Sequence, residues 1–203
     1  MTASDARAPR PDIRMYFHFR SPYSRIGLHR ITWAGLEPDL IVFTGPPPGN
    51  IFRDPADNPA IQRYVTRDII RLAVKLDLPT KRPRPFDVNF ALASRAFVAA
   101  KQAGKGFDYA LAVSDARWAD GKDISDLVLL RELAASVGLD GTLVDAAQDS
   151  VAVRDAMAEY RALGEQDGAF GVPFFVVRKD GKKAQAYWGQ DRVDMLLEDH
   201  GAT

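Results

Sequence analysis

"HFRSPYSR", residues 18–25, stands where an apolar run ends and a helical pattern begins. Upstream, Ile13, Met15, Phe17 and Phe19 alternate with Arg14, Tyr16 and His18, the period-two pattern of a strand over 13–19. Downstream, Tyr23, Ile26, Gly27, Ile31 and Ala34 recur at helical spacing until Gly35 stops them. Ser21-Pro22 at the junction reads as an N-cap with proline in the first helical position. The same geometry has a second use. A helix N-terminus carries unpaired N–H groups and partial positive charge, so it stabilises an anion there and lowers the pKa of a thiol.

Working outward, 38–43 is a second short apolar run, giving β-α-β, and a Pro/Gly loop from Gly45 to Asn50 follows. The middle of the chain is helical throughout. Asn58-Pro59 opens a stripe of Ile61, Val65, Ile69, Leu72 and Leu76, and Asp87 precedes Phe90, Ala93, Phe97 and Ala100. Phe107, Ala110, Leu111, Ser114 and Trp118 form another stripe. Ser125 is expected to cap Leu127, Leu130, Ala134 and Val137, closed by Gly138; Val153, Met157, Tyr160 and Leu163 then run up to Gly164 and Gly168. Strands return at 174–177 and 184–187 around an Asp180-Gly181 turn, and Val193, Leu196 and Leu197 mark a last short helix. The order βαβ, helical block, ββα matches a thioredoxin-like α/β fold with a large all-helical insertion. The expected division is 12–52 plus 170–200 for the thioredoxin-like domain, 53–169 for the insertion and 1–11 for a loose tail. In such a fold Pro173, after Gly171-Val172, is a cis-proline facing the first helix, and the backbone before it is free to pair with a peptide ligand.

Composition narrows the chemistry. Among 203 residues Lys plus Arg and Asp plus Glu are 27 each, a balance that argues against a nucleic-acid partner. The densest basic run, Lys81-Arg82-Pro83-Arg84-Pro85, reads as a solvated loop. There is no cysteine, so disulfides, zinc–thiolate sites and thiol nucleophiles are excluded. The first fifteen residues lack an apolar signal core, and no apolar run approaches the ~18 residues of a membrane span. A soluble, cytoplasmic protein is expected. No HExxH, P-loop, GxSxG or paired-carboxylate pattern occurs, so no metal is expected.

Four segments in register carry a resemblance: "FRSPYSRIGLHR" at 19–30, "RDIIRLAVKLDLP" at 67–79, "ARWADGKDISD" at 116–126, and "FGVPFFVV" with "YWGQDRVDMLLE" at 170–198. Together they are similar to the 2-hydroxychromene-2-carboxylate isomerase family, related to kappa-class glutathione transferases and more remotely to DsbA-type oxidoreductases. The resemblance places Ser21-Pro22-Tyr23-Ser24 where the oxidoreductases carry Cys-Pro-X-Cys. It implies a thiol supplied by bound glutathione, with the Ser21 hydroxyl bonding its sulfur. Val172 would offer its backbone to the cysteinyl amide beside Pro173, Gln190 and Asp191 would hold the γ-glutamyl group, and Asn50 matches a loop asparagine. His18, Tyr23 and Ser24 become candidate contacts for a small aromatic substrate. The implied activity is glutathione-dependent isomerisation of aromatic-degradation intermediates by reversible thiolate addition, in a homodimer. A kappa-like transferase or a non-catalytic thioredoxin-fold binding protein are the alternatives.

The chain departs from the pattern in places. The related families tend to carry a lysine three residues before a tyrosine in the first insertion helix, where this chain has Ile61 before Tyr64. His18 replaces an acidic residue, and Arg25 an aromatic or aliphatic one. A strand histidine between phenylalanines is ordinarily a satisfied polar group. Three residues before Ser21, it is also placed to act as a base or ligand contact. His29 and His200 are expected at the surface.

Overall fold

The alternation before Ser21 becomes strand β1 (Asp12–Phe17) in the computed structural model of the chain, which describes residues 12–46, 49, 57–179 and 183–200. The other strands are β2 (Asp39–Val42), β3 (Phe174–Arg178) and β4 (Gln185–Trp188), in the sheet order β2-β1-β3-β4. β2 runs parallel to β1, with Met15 beside Leu40; β3 runs antiparallel, with Met15 beside Phe175. β4 pairs antiparallel with β3 and sets Trp188 beside Phe174. A parallel pair needs a crossover, and α1 (Pro22–Trp33) supplies it.

Both faces of the sheet are covered, so the period-two pattern separates two cores. On one face Leu28 and Ile31 of α1 and Val193 and Leu196 of α8 (Val193–His200) join Met15, Phe17, Phe175 and Val177. That core continues through α3 (Phe90–Gln102), α4 (Gly106–Trp118), α5 (Leu127–Ser136) and α6 (Thr142–Asp149). On the other face Tyr160 and Leu163 of α7 (Val151–Asp167) close over Tyr16, Ile41, Phe174 and Val176. α2 (Pro59–Lys75) completes the helical block. The fold is therefore thioredoxin-like, βαβ then ββα, with a helical insertion between the halves. Among the described helices none is long and apolar enough to cross a membrane.

Asp167, at the end of α7, fixes that helix to the sheet. Its buried carboxylate accepts from Arg14 (2.7 Å) and Tyr16 (2.6 Å) on β1 and from Arg178 on β3. A buried carboxylate with this many donors has its charge compensated, which is the condition for keeping it there.

Several boundaries differ from the sequence expectation. β1 stops at Phe17 because the chain turns at once: the Ser21 N–H bonds the His18 carbonyl at 3.0 Å. Phe19 leaves the strand but not the core, its ring lying edge-on to Phe17 at 5.2 Å. β4 starts and ends one residue later than the expected strand. α5 is capped by Asp126, which accepts from the Val128 N–H at 2.8 Å, and not by Ser125, whose hydroxyl is spent on Asp123. α6 had no counterpart in the sequence reading; only Val144 and Ala147 of its eight residues are buried, too few to draw a stripe. Gly164 lies inside α7, and the helix ends at Gly168 with φ 68°. The expected Asp180-Gly181 turn lies outside the described residues.

Candidate functional site

α1 begins beside the loop that leads into β3, and the candidate site is built from those two ends. Ser21 is extended (φ −95°, ψ 112°) and its Oγ accepts the Ser24 N–H at 3.1 Å, so it caps the helix, with Pro22 following. The cap uses a lone pair of Oγ and leaves the hydroxyl proton to be donated. The first turn of α1 itself holds no acidic residue, so its positive end is not neutralised from within the helix.

The Val172–Pro173 bond is cis. Gly27 lets α1 lie close against this proline: a Cβ there would meet Pro173 at 3.3 Å and the Met15 methyl at 3.1 Å. The Pro173 carbonyl is taken by the Gly189 N–H at 2.9 Å, whereas the main chain of Val172 has no main-chain partner among the described residues. Past β4, Gly189 (φ 110°) leads into a single 3-10 turn, Gln190–Arg192, which packs on α1. Gln190 is buried, and its Oε1 has no hydrogen-bond partner among the described residues. Asp191 is exposed and pairs with Arg192 at 2.9 Å. Asn50 lies outside the described residues.

Ser21 and Val172 open on a cleft of about 880 Å³, walled mainly by apolar side chains that include Val65, Ile69, Phe86, Trp118, Met157 and Trp188. His18 and Tyr23 also line it. The His18 Nδ1 accepts the Arg20 N–H at 3.1 Å, which puts the proton of the neutral ring on Nε2. The ring packs 5.6 Å from Phe90. Tyr23 donates to Asp68 of α2 at 2.8 Å; burial, helped by that carboxylate, pushes its phenol up. Asp68 itself is held below the ordinary carboxylate range: burial opposes its charge, but the bonds from Tyr23 and Arg71 outweigh it.

Two expectations are corrected, those for Ser24 and His29, and the position of Ile61 is fixed. Ser24 is 1% exposed and its Oγ accepts the His18 N–H, so it braces the turn and is not a substrate contact. Ile61 is exposed and does not line the cleft, to which α2 presents Gln62, Val65 and Thr66 instead. His29 is not a free surface residue but bonds Asp115 at 2.8 Å, beside the buried Arg25, which reaches the same carboxylate at 2.6 Å. Burial works against the Asp115 charge, and the His29 and Arg25 bonds overcome it, holding the carboxyl below its usual range.

Two residues of the site were invisible in the sequence. The Trp118 indole donates to the Phe19 carbonyl at 2.9 Å, while the Trp118 carbonyl accepts the Lys81 N–H at 2.8 Å. One residue thus joins the turn before Ser21 to the 79–86 loop. Arg117 is fully buried and spends its guanidinium on the carbonyls of Pro85, Phe86 and Lys122. Helical spacing marks Trp118 only as part of a stripe, and Arg117 falls outside that stripe. Among the described residues no group of His, Asp or Glu could hold a metal ion.

A cis-proline packed against the first helix, whose N-terminus opens on a cleft, with a helical block inserted between the sheet halves, defines a thioredoxin-fold site. The chain belongs to the DSBA-like thioredoxin domain family, whose model matches residues 12–200. YwbO of Bacillus subtilis (strain 168) is 26% identical over 175 residues, 81% of this chain and 86% of that protein. Among solved structures, a 2-hydroxychromene-2-carboxylate isomerase superposes with a TM-score of 0.76 at 21% identity, covering 93% of this chain and 94% of its own. The cytosolic disulfide reductase DsbM from Pseudomonas aeruginosa, solved with GSH, gives 0.62 at 18% identity over 92% and 99% of the two chains. At such identities the two structures speak for the fold.

Proposed function

We propose that this protein is a glutathione-dependent isomerase of the 2-hydroxychromene-2-carboxylate isomerase type. The observation that carries the reading is Ser21, a capping hydroxyl at a helix whose first turn holds no acidic residue, near the main chain of Val172, which has no main-chain partner among the described residues, in a chain with no cysteine. Dithiol exchange of the DsbM kind is closed to a site with serine at positions 21 and 24. The residues that line the cleft suit glutathione, with a positive helix end for the sulfur and the Val172 main chain for the cysteinyl amide; the Gln190 oxygen, buried and without a partner among the described residues, is a candidate acceptor for the ammonium. Bound glutathione supplies a thiolate that adds reversibly to a conjugated double bond, allowing rotation and elimination. Ser21 would donate a hydrogen bond to the thiolate while keeping its proton, and the α1 N-terminus would favour the anion. Val172 would pair with the cysteinyl amide beside Pro173, and Gln190 and Asp191 would hold the γ-glutamyl group. The apolar walls exclude water from an aromatic ring-cleavage product bearing an unsaturated α-keto acid.

Calorimetry with reduced glutathione, followed by an ultraviolet titration of the bound thiol, tests this. Binding with the thiol ionising below its free value is the expected result, and Ser21→Ala should lose most of that shift. No binding, or a bound thiol that titrates as it does in solution, ends the proposal.

A further inference from the structure

The basic run at 81–85 is exposed, apart from the buried Pro83, as a solvated loop is, yet it also borders the cleft. Lys81, Arg82 and Pro83 line the cleft, with Arg20 and His18 nearby on its wall. Among the described lining residues there is no Asp or Glu, although cations and acids balance over the chain as a whole. The ionisable lining is therefore of one sign, and the positive end of α1 adds to it. Arg20 is partly compensated by Asp87, which lies 3.9 Å away and largely in solvent. Lys81 and Arg82 make no ion pair with any described residue. The Arg82 guanidinium lies 5.5 Å from the centre of the Phe86 ring, itself on the cleft wall.

The loop is held in fixed register to Ser21. The Lys81 N–H bonds the Trp118 carbonyl, the Arg84 N–H bonds the Gly121 carbonyl at 3.1 Å, and Arg117 grips the carbonyls of Pro85 and Phe86. Gly121, at φ +72°, lets the two segments close: a Cβ there would meet the Arg82 carbonyl and the Lys81 side chain at 3.1 Å. The Trp118 indole then ties this unit to Phe19, two residues before Ser21. Val172 borders the cleft from the sheet side; the loop is tied to the end of α4 through Trp118. Two exposed cations on a loop held in register, beside aromatic walls, offer charge-assisted contacts to an anion carried on a flat apolar body.

We propose that Lys81 and Arg82 are the specificity-determining residues of the cleft, selecting aromatic molecules that carry a carboxylate. This deepens the reading of the cleft given above and rests on it for the reaction alone. Calorimetry with 1-naphthoate and its uncharged isostere 1-naphthamide reads the selection. The wild-type protein should favour the anion by about tenfold or more, the size of one charge-assisted contact. In K81Q/R82Q the preference should collapse toward unity while binding of the amide and of reduced glutathione is unchanged. A preference that survives K81Q/R82Q, or is erased by R20Q alone, overturns the assignment. So does a wild-type protein that binds both probes equally or neither. Loss of glutathione binding in K81Q/R82Q would also overturn it, placing the pair in the glutathione site. If wild type fails to bind glutathione yet selects naphthoate through this pair, the isomerase reading falls and the assignment stands.

Discussion

Ser21 does two jobs with one oxygen, and they are separable because an acceptor lone pair and a donor proton are different resources. Ser21→Ala should cost ~0.5–2 kcal/mol of stability as a lost cap. A variant that loses that stability and yet leaves the bound thiol fully shifted would reduce Ser21 to a cap. Tyr23 spends its proton on Asp68 and so ties the start of α1 to α2. Tyr23→Phe should cost about 1.5 kcal/mol, the low end for a bond to a charged group because Asp68 is partly exposed. Faster hydrogen exchange in α2, with α3 unchanged, would report it; equal acceleration in both would deny the tie. Ser21, Val172 and Pro173 were legible because their placement is written in adjacent residues, a cap before proline and an X-Pro before a strand. Ser24 and Ile61 were not, since packing alone decides which face of a helix meets the cleft.

At the scale of elements, two glycines should answer the same substitution with opposite signs. Gly164 is inside α7, and a Cβ there would meet the Tyr16 ring at 3.6 Å, an ordinary contact. Gly164→Ala should stabilise by roughly 0.5–1 kcal/mol, the helical gain of alanine over glycine, seen as a higher urea midpoint. Gly189 sits at φ 110°, and a Cβ there would lie 2.5 Å from the Asp191 carboxylate. Gly189→Ala should lower the midpoint and weaken glutathione binding together; a neutral result would show that the turn can shift without loss. The strands and the long helices were readable because their periods repeat several times. α6 and the Asp126 cap were not. An eight-residue helix with two buried side chains leaves no period to find, and Ser125 and Asp126 are both good caps until Asp123 claims one of them.

The molecule as a whole should be acid-sensitive in a defined direction. Asp68 and Asp115 have folded carboxyls held below their ordinary value, so the folded state binds fewer protons than the unfolded one. Their contribution is complete above about pH 5 and is lost as pH falls through ~3.9 and on through the depressed folded values. Urea midpoints measured from neutral pH downward should decline in that window, and Asp115→Asn should flatten the decline. An equally steep decline in the variant would remove Asp115 from the account. The topology was visible from element order alone, because βαβ and ββα around a helical block admit few arrangements. The one-signed lining of the cleft was not. It exists only once Arg20 and the 81–82 pair, some sixty residues apart in sequence, share a wall.

The sulfur content of the chain has a consequence of its own. With no thiol, oxidative wear falls on methionine, and three described methionines differ sharply in reach. Met15 is fully buried in the sheet core, Met195 is half exposed on α8, and Met157 lines the cleft. A sulfoxide at Met195 would change little, whereas one at Met157 would set a polar S=O into an apolar wall. Peroxide can thus spoil the site without any disulfide forming, and methionine sulfoxide reductase, not a thiol reductant, is what would restore it.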